Sequence, residues 1–239
     1  MNEERGAIGP RISNLEPRRI GILGGTLDPI HCGHVAAAVA ARDAFGLSPV
    51  YVIPSHVPPH RPAQPIASPF HRFAMAALAV SGQTALAASD DELRADGPSY
   101  TADTLDRWHA RGYETSQIFF ITGADAFAEI ATWKRYPAVL ELANFVVVSR
   151  PGHRIETLAA KLPALAGRMR SADARAPEGA NTLIYLLQAP TPDVSSTDVR
   201  DRLRRGESIT GLVPGLVETH IHQHGLYAAD QLHGQNCEN

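Results

Sequence analysis

A short apolar run, Ile20-Gly21-Ile22-Leu23, closes on the glycine pair Gly24-Gly25. After Thr26-Leu27-Asp28-Pro29-Ile30-His31-Cys32-Gly33-His34 it gives way to an alanine-rich stretch. The run reads as a buried strand because it is short, apolar and bounded by glycine, and His34 onward reads as a helix. A strand, a tight loop and a helix in that order make the opening unit of an α/β chain. The junction also suits an anion. Glycines let backbone approach a ligand, the helix start offers unpaired N–H groups, and imidazoles three residues apart can face the same group.

The rest of the chain repeats the alternation. His34 to Phe45 carries only Arg42 and Asp43 as charges, as expected of a helix packed on a sheet, and Gly46 stops it. Val50 to Pro54 is β-rich. The connection from Pro54 to Pro69 contains Pro58-Pro59-His60-Arg61 and reads as a long ordered loop or lid. Helical pattern returns over Phe70 to Val80, a short strand over Leu86 to Ser89, and a helix over Thr101 to Ala110 with Leu105 and Trp108 on one face. Gln117 to Thr122 and Phe145 to Ser149 are apolar throughout, which suits parallel strands covered on both faces. Asn181 to Gln188 reads as a further strand, followed by helices over Ser196 to Arg205 and Pro214 to His224. Arg154 to Ala180, rich in Ala and Arg, reads as helical or mobile. The pattern predicts a Rossmann-like, doubly wound parallel sheet whose ligands bind at the carboxyl ends of the strands. Three polar segments fall at such ends: Gly24 to His34, Gly123-Ala124-Asp125, and Ser195 to Arg200. They are expected to share one crevice.

With 239 residues and 44% hydrophobic content, the chain can bury a sizeable core. It divides most simply into a loose N-terminal extension (1–18), one domain (19–228) and a short tail (229–239). The net charge of −3 gives no general attraction to nucleic acid or to an anionic membrane, so a polyanion must be met by a local pocket. Two cysteines, Cys32 and Cys237, imply no disulfide framework. No signal-peptide core or bilayer-length apolar run occurs, so a cytoplasmic protein is expected.

Each motif also has a plainer reading. A loop histidine is ordinarily a surface or hydrogen-bonded group, but His31 and His34 both lie within a turn of a helix start, behind a glycine pair, which favours contact with phosphate. A zinc site would need a third ligand nearby, so no metal ligand set is expected there. Ser195-Ser196-Thr197 can cap a helix. A cap needs one hydroxyl, whereas three hydroxyls, free amides and Arg200 one turn on would cradle a triphosphate. His220 and His224 share a helix face that could suggest a metal, but a polar face is the simpler reading.

The spacing Gly24-Gly25-Thr26-x-Asp28-Pro29-x-His31-x-Gly33-His34, with Ser195-Ser196-Thr197-x-Val199-Arg200 far downstream, resembles the HxGH nucleotidyltransferase superfamily. More narrowly it resembles the bacterial nicotinate-nucleotide adenylyltransferases. Counterparts of Pro58-Pro59-His60, Ser99-Tyr100-Thr101-Ala102-Asp103-Thr104-Leu105, Gly123-Ala124-Asp125 with Trp133 following, and Arg150-Pro151-Gly152 occur in order, from about Arg19 to about Tyr227. The resemblance implies transfer of the adenylyl group of ATP to nicotinate mononucleotide, with Mg2+ bound alongside ATP. It implies catalytic roles for His31, His34 and Arg200. ATP would be bound by Gly24, Gly25, Thr26, Gly123, Asp125, Ser195, Ser196 and Thr197, and the mononucleotide by Ser99, Tyr100, Thr101 and Trp133. No nucleic-acid or membrane partner is implied, and there is room for a homo-oligomer. Three departures stand out: Leu27 where phenylalanine is usual, Arg61 where lysine is common, and the N-terminal extension. Pantetheine-phosphate adenylyltransferase shares the fold and the ATP chemistry but usually has threonine at the place of His31. A nucleotide-binding sensor that has lost turnover is the alternative from another class. Preference for nicotinate over nicotinamide stays open at this level.

Overall fold

The computed structural model describes residues 18–59, 66–149, 157–173 and 182–228. Nearly all of the N-terminal extension, His60 and Arg61, Arg150 to Gly152 and the C-terminal tail lie outside the described residues, as does part of the expected loop from Pro54 to Pro69.

The opening unit forms as expected, with β1 (Ile20–Gly25) leading into α1 (Cys32–Phe45). It is followed by β2 (Val50–Pro54), α2 (Pro69–Val80), β3 (Leu86–Ala88), α3 (Thr101–Ala110) and β4 (Ile118–Gly123). The second half comprises α4 (Ala124–Ala128), β5 (Asn144–Val148), α5 (Thr157–Lys161), β6 (Met169–Ser171), β7 (Ile184–Leu187), α6 (Ser196–Arg204) and α7 (Gly215–Gln223). The strands form one sheet in the order β3-β2-β1-β4-β5-β7-β6, with every pairing parallel.

Parallel strands buried on both faces carry apolar residues at successive positions, and alternation decides which core each side chain joins. In β4, Phe119 and Ile121 pack with Ala38 and Ala41 of α1, Met75 and Ala79 of α2, and Val217 and Ile221 of α7. Ile118 and Phe120 enter the opposite core, with Leu105 and Trp108 of α3 and Phe127 of α4. Continuous apolar runs were therefore the right signal for strands here. The stretch expected to be helical or mobile is helical over Thr157–Lys161 and departs from that expectation at its strand. After α5 it makes a 3-10 turn over Pro163–Arg168 and then β6, an edge strand that pairs, among the described residues, with β7 alone. Three residues on one edge carry too little periodicity to announce a strand. Among the described residues, no helix is long and apolar enough to cross a membrane.

β1 and β4 are neighbours, although the chain first moves outward from β1 to β2 and β3 before returning to β4 on the other side. That reversal opens a crevice beyond the carboxyl ends of β1 and β4, the place where doubly wound sheets bind ligands.

Candidate functional site

A cavity of about 720 Å³ occupies that crevice, within the range of pockets that enclose small-molecule ligands. Its wall includes Gly24, Gly25, Thr26, His31 and His34 from the first motif, Gly123 and Asp125 beyond β4, and Ser195, Ser196 and Thr197 ahead of α6. Ser99, Tyr100, Thr101 and Trp133 line it as well. The expected site residues thus converge on one space, with Arg200 the exception.

His31 is the N-cap of α1 in extended conformation and is only 2% exposed. Its backbone N–H donates to Nδ1 of His34 at 3.2 Å, and the two ring centroids lie 3.7 Å apart. An accepting Nδ1 puts the proton of a neutral imidazole on Nε2, so the cap itself makes His34 Nε2–H a donor. Leu27 sits in the left-handed region (φ 52°), where a non-glycine residue costs about 1–2 kcal/mol. Its side chain is buried and forms part of the cavity wall. The next residue anchors this turn. The Asp28 carboxylate accepts from the backbone N–H groups of Ile66 (2.8 Å) and Ala67 (3.1 Å) and from the Tyr227 hydroxyl (2.7 Å). Burial, and then the Asp28 carboxylate beside it, push the Tyr227 phenol far above its ordinary pKa, so it remains a donor.

The second motif is tied directly to the first. Ser196 Oγ donates to the carbonyl of Pro29 at 2.8 Å, and Arg200 Nη1 donates to the carbonyl of Asp28 at 2.5 Å. Ser195 Oγ accepts from Asp198 N (3.0 Å) as an ordinary N-cap, and Thr197 Oγ1 accepts from Arg200 Nη2 (3.2 Å). The three hydroxyls therefore have structural work, more than the triphosphate-cradle reading anticipated. Arg200 is 3% exposed and lies behind the wall, its charge held by a carbonyl and a hydroxyl.

On the other side of the cavity, Ser99 Oγ accepts from His56 N–H (2.8 Å) and Ser99 N–H donates to the Val57 carbonyl (2.9 Å). The buried Glu92 carboxylate accepts from Thr104 Oγ1 at 2.6 Å, and burial pushes its pKa up against the hydrogen bonds from Thr104 and Ser99. Trp133 is braced edge-on by Phe120 (centroids 6.0 Å, 82°) and Phe145 (6.4 Å, 60°), which fixes its ring on the cavity wall. Lys134 pairs with Asp103 and lies 4.7 Å from the centre of the Tyr100 ring. The sequence carries no local signal for Glu92 or Lys134, and Asp28 stands in it only as one position of the first motif. A carboxylate three residues after a serine-aspartate turn gives no pattern; only folding shows it to be buried.

The histidines of α7 do more than form a polar face. His71 of α2 joins them, with its Nδ1 3.1 Å from His220 Nε2 and its ring 4.9 Å from that of His224. Among the described residues, no group of three His, Cys, Asp or Glu side chains is placed to hold a metal ion.

Comparison with known proteins agrees with this architecture. The cytidylyltransferase-like family model matches residues 22–202. A probable nicotinate-nucleotide adenylyltransferase of Desulfitobacterium hafniense is 39% identical over 218 residues, 90% of this chain and 98% of that protein. One from Desulfatibacillum aliphaticivorans is 41% identical, over 87% of this chain and 99% of that one. Among solved structures, the Plasmodium falciparum nicotinic acid mononucleotide adenylyltransferase complexed with NaAD superposes with a TM-score of 0.67 at 18% identity, covering 88% of this chain and 97% of that one.

Proposed function

The chain belongs to the cytidylyltransferase-like family, among its nicotinate-nucleotide adenylyltransferases, and we propose how its cavity carries out that reaction. The enzyme transfers the adenylyl group of ATP to nicotinate mononucleotide, giving nicotinate adenine dinucleotide and pyrophosphate, a step of NAD biosynthesis. The reading is carried by one observation: two motifs more than 160 residues apart are bonded to each other, Ser196 on the cavity wall to Pro29 and Arg200 behind that wall to Asp28, beside a cavity that also presents Trp133 and Ser99.

The nucleophile is the phosphate of the mononucleotide, whose second pKa of about 6 leaves it largely ionised at neutral pH. No general base is required, and the reaction rests on alignment and on stabilising charge at the α- and β-phosphates. His34 donates through Nε2–H to the α-phosphate, and His31 stands beside it at the cap. The N-terminal amides of α6, at Ser196 and Thr197, take the β- and γ-phosphates together with the hydroxyls of Ser195 and Thr197, whose protons are not used in their bonds to Asp198 and Arg200. Arg200 adds positive charge from behind that wall through its hold on the Asp28 carbonyl. The backbone at Gly24, Gly25, Thr26 and Gly123 gives close approach for ATP, and the carboxylate of Asp125 suits a ribose hydroxyl pair. The pyridine ring stacks on Trp133, with its carboxylate toward Ser99, Tyr100 and Thr101.

Magnesium enters with ATP in this scheme. Among the described residues no three His, Cys, Asp or Glu side chains are placed to hold a metal ion; the ion would arrive with ATP and would neutralise phosphate charge.

The purified chain, given Mg-ATP and nicotinate mononucleotide, is expected to release pyrophosphate and the dinucleotide in equal amounts. Pyrophosphate release that does not depend on a pyridine mononucleotide would contradict the reading.

A further inference from the structure

Arg72 is the largest wholly buried side chain among the described residues, and it belongs to none of the motifs. It stands on α2 with its guanidinium spread over backbone carbonyls. Nε donates to Ala67 (3.2 Å), Nη1 to Thr26 (2.8 Å) and Ser55 (2.5 Å), and Nη2 to His56 (3.1 Å). Among the described residues it forms no ion pair. Burial works against its charge, with Asp28 the first of the neighbours that restore it. An apolar side chain of similar volume would fill such a place at lower cost if packing were the only need.

The carbonyls it gathers belong to two different parts of the cavity. Thr26 follows the glycine pair on the phosphate side, and Ser55 stands on the wall just after β2. His56, whose carbonyl receives Nη2, donates its own N–H to Ser99 Oγ on the pyridine side. One planar fork therefore spans from the phosphate loop to the residue that holds Ser99. A guanidinium fixes several donor directions at once, which a lysine ammonium on a flexible stem does not.

We propose that Arg72 is a positioning residue that sets the phosphate half of the cavity relative to its mononucleotide half, so that the attacking phosphate and the α-phosphate of ATP meet in line. The inference rests on the adenylyl-transfer reading given above. Each substrate touches mainly one half, so loss of this brace spares the separate binding steps. The chemical step, which needs both halves in register, is affected.

The test uses the full chain with Arg72→Lys and Arg72→Met. Circular dichroism checks folding, calorimetric titration with ATP alone and with nicotinate mononucleotide alone measures binding, and steady-state turnover gives kcat. Both ligands are expected to bind at full stoichiometry with Kd within about threefold of the parent, while kcat falls about tenfold in the lysine variant and about a hundredfold in the methionine variant. Unchanged kcat would overturn the proposal. So would a loss of kcat that merely follows a loss of binding stoichiometry, or failure of both variants to fold, since either makes Arg72 a core residue only. Absence of turnover in the parent chain would instead overturn the functional reading, before any variant is compared.

Discussion

A methyl group added at Gly33 would lie 3.1 Å from Cε1 and Nδ1 of His31 and 3.4 Å from the carbonyl oxygen of Pro192. Neighbours would have to give by a few tenths of an ångström, and the nearest of them is the His31 imidazole, whose ring centre lies 3.7 Å from that of His34. Gly33 is therefore needed for close approach, at a residue whose backbone any side chain could adopt. Gly33→Ala is expected to lower kcat about tenfold while the melting temperature moves little, measured by turnover and thermal denaturation. His34→Ala removes the donor itself. It is expected to lower kcat by about a hundredfold or more with the fold intact, in the range seen when a donor to developing charge is removed. Near-normal turnover in that variant would sink its assignment. The glycine and histidine spacing was readable from the sequence because each type has a distinct local reason to be there. Asp28, Glu92 and Arg72 were not. Their importance lies in partners 38 or more, 12 and up to 46 residues away, and no local pattern records such a meeting.

At the scale of elements, α2 and α7 pack through His71, His220 and His224, and each helix leads directly to an anchor of the site. His71 precedes Arg72, and α7 runs on to Tyr227, whose hydroxyl holds Asp28. His220 titrates below the ordinary histidine range, because burial and then the nearby His224 and His71 disfavour its charged form. The folded state thus holds this proton less readily than the unfolded chain. The contribution to stability is present above about pH 6.5, the unfolded value, and is lost as pH falls through the lower folded value. Thermal melts between about pH 7.5 and 5 are expected to show a drop in Tm that is smaller in His220→Gln, since glutamine can keep a hydrogen bond to His71 without titrating. An equal drop in both proteins would refute this link. The helices were legible as apolar stripes, but the pairing of α2 with α7 was not, because it joins residues 149 apart in the chain.

For the whole molecule, alternating strands and helices were enough to predict a doubly wound sheet, and the crevice beyond β1 and β4 follows from its strand order. The short edge strand β6 escaped that reading because three residues with one neighbour have no period. Arg200 is the clearest change in the site. It was expected to contact phosphate, yet the fold places it behind the wall, where it binds the Asp28 carbonyl and joins the two motifs. The choice of second substrate was also beyond the motifs alone, since a carboxylate and an amide on the pyridine ring differ by contacts that backbone can make. Relatives about 40% identical along nearly their whole length are named probable nicotinate-nucleotide adenylyltransferases, which makes nicotinate the expected substrate. The most direct measurement is therefore kcat/KM for nicotinate mononucleotide against nicotinamide mononucleotide, each with saturating Mg-ATP. A preference for nicotinate of about tenfold or more is expected, the scale of one well-placed polar contact; equal values, or a preference for the amide, would contradict it.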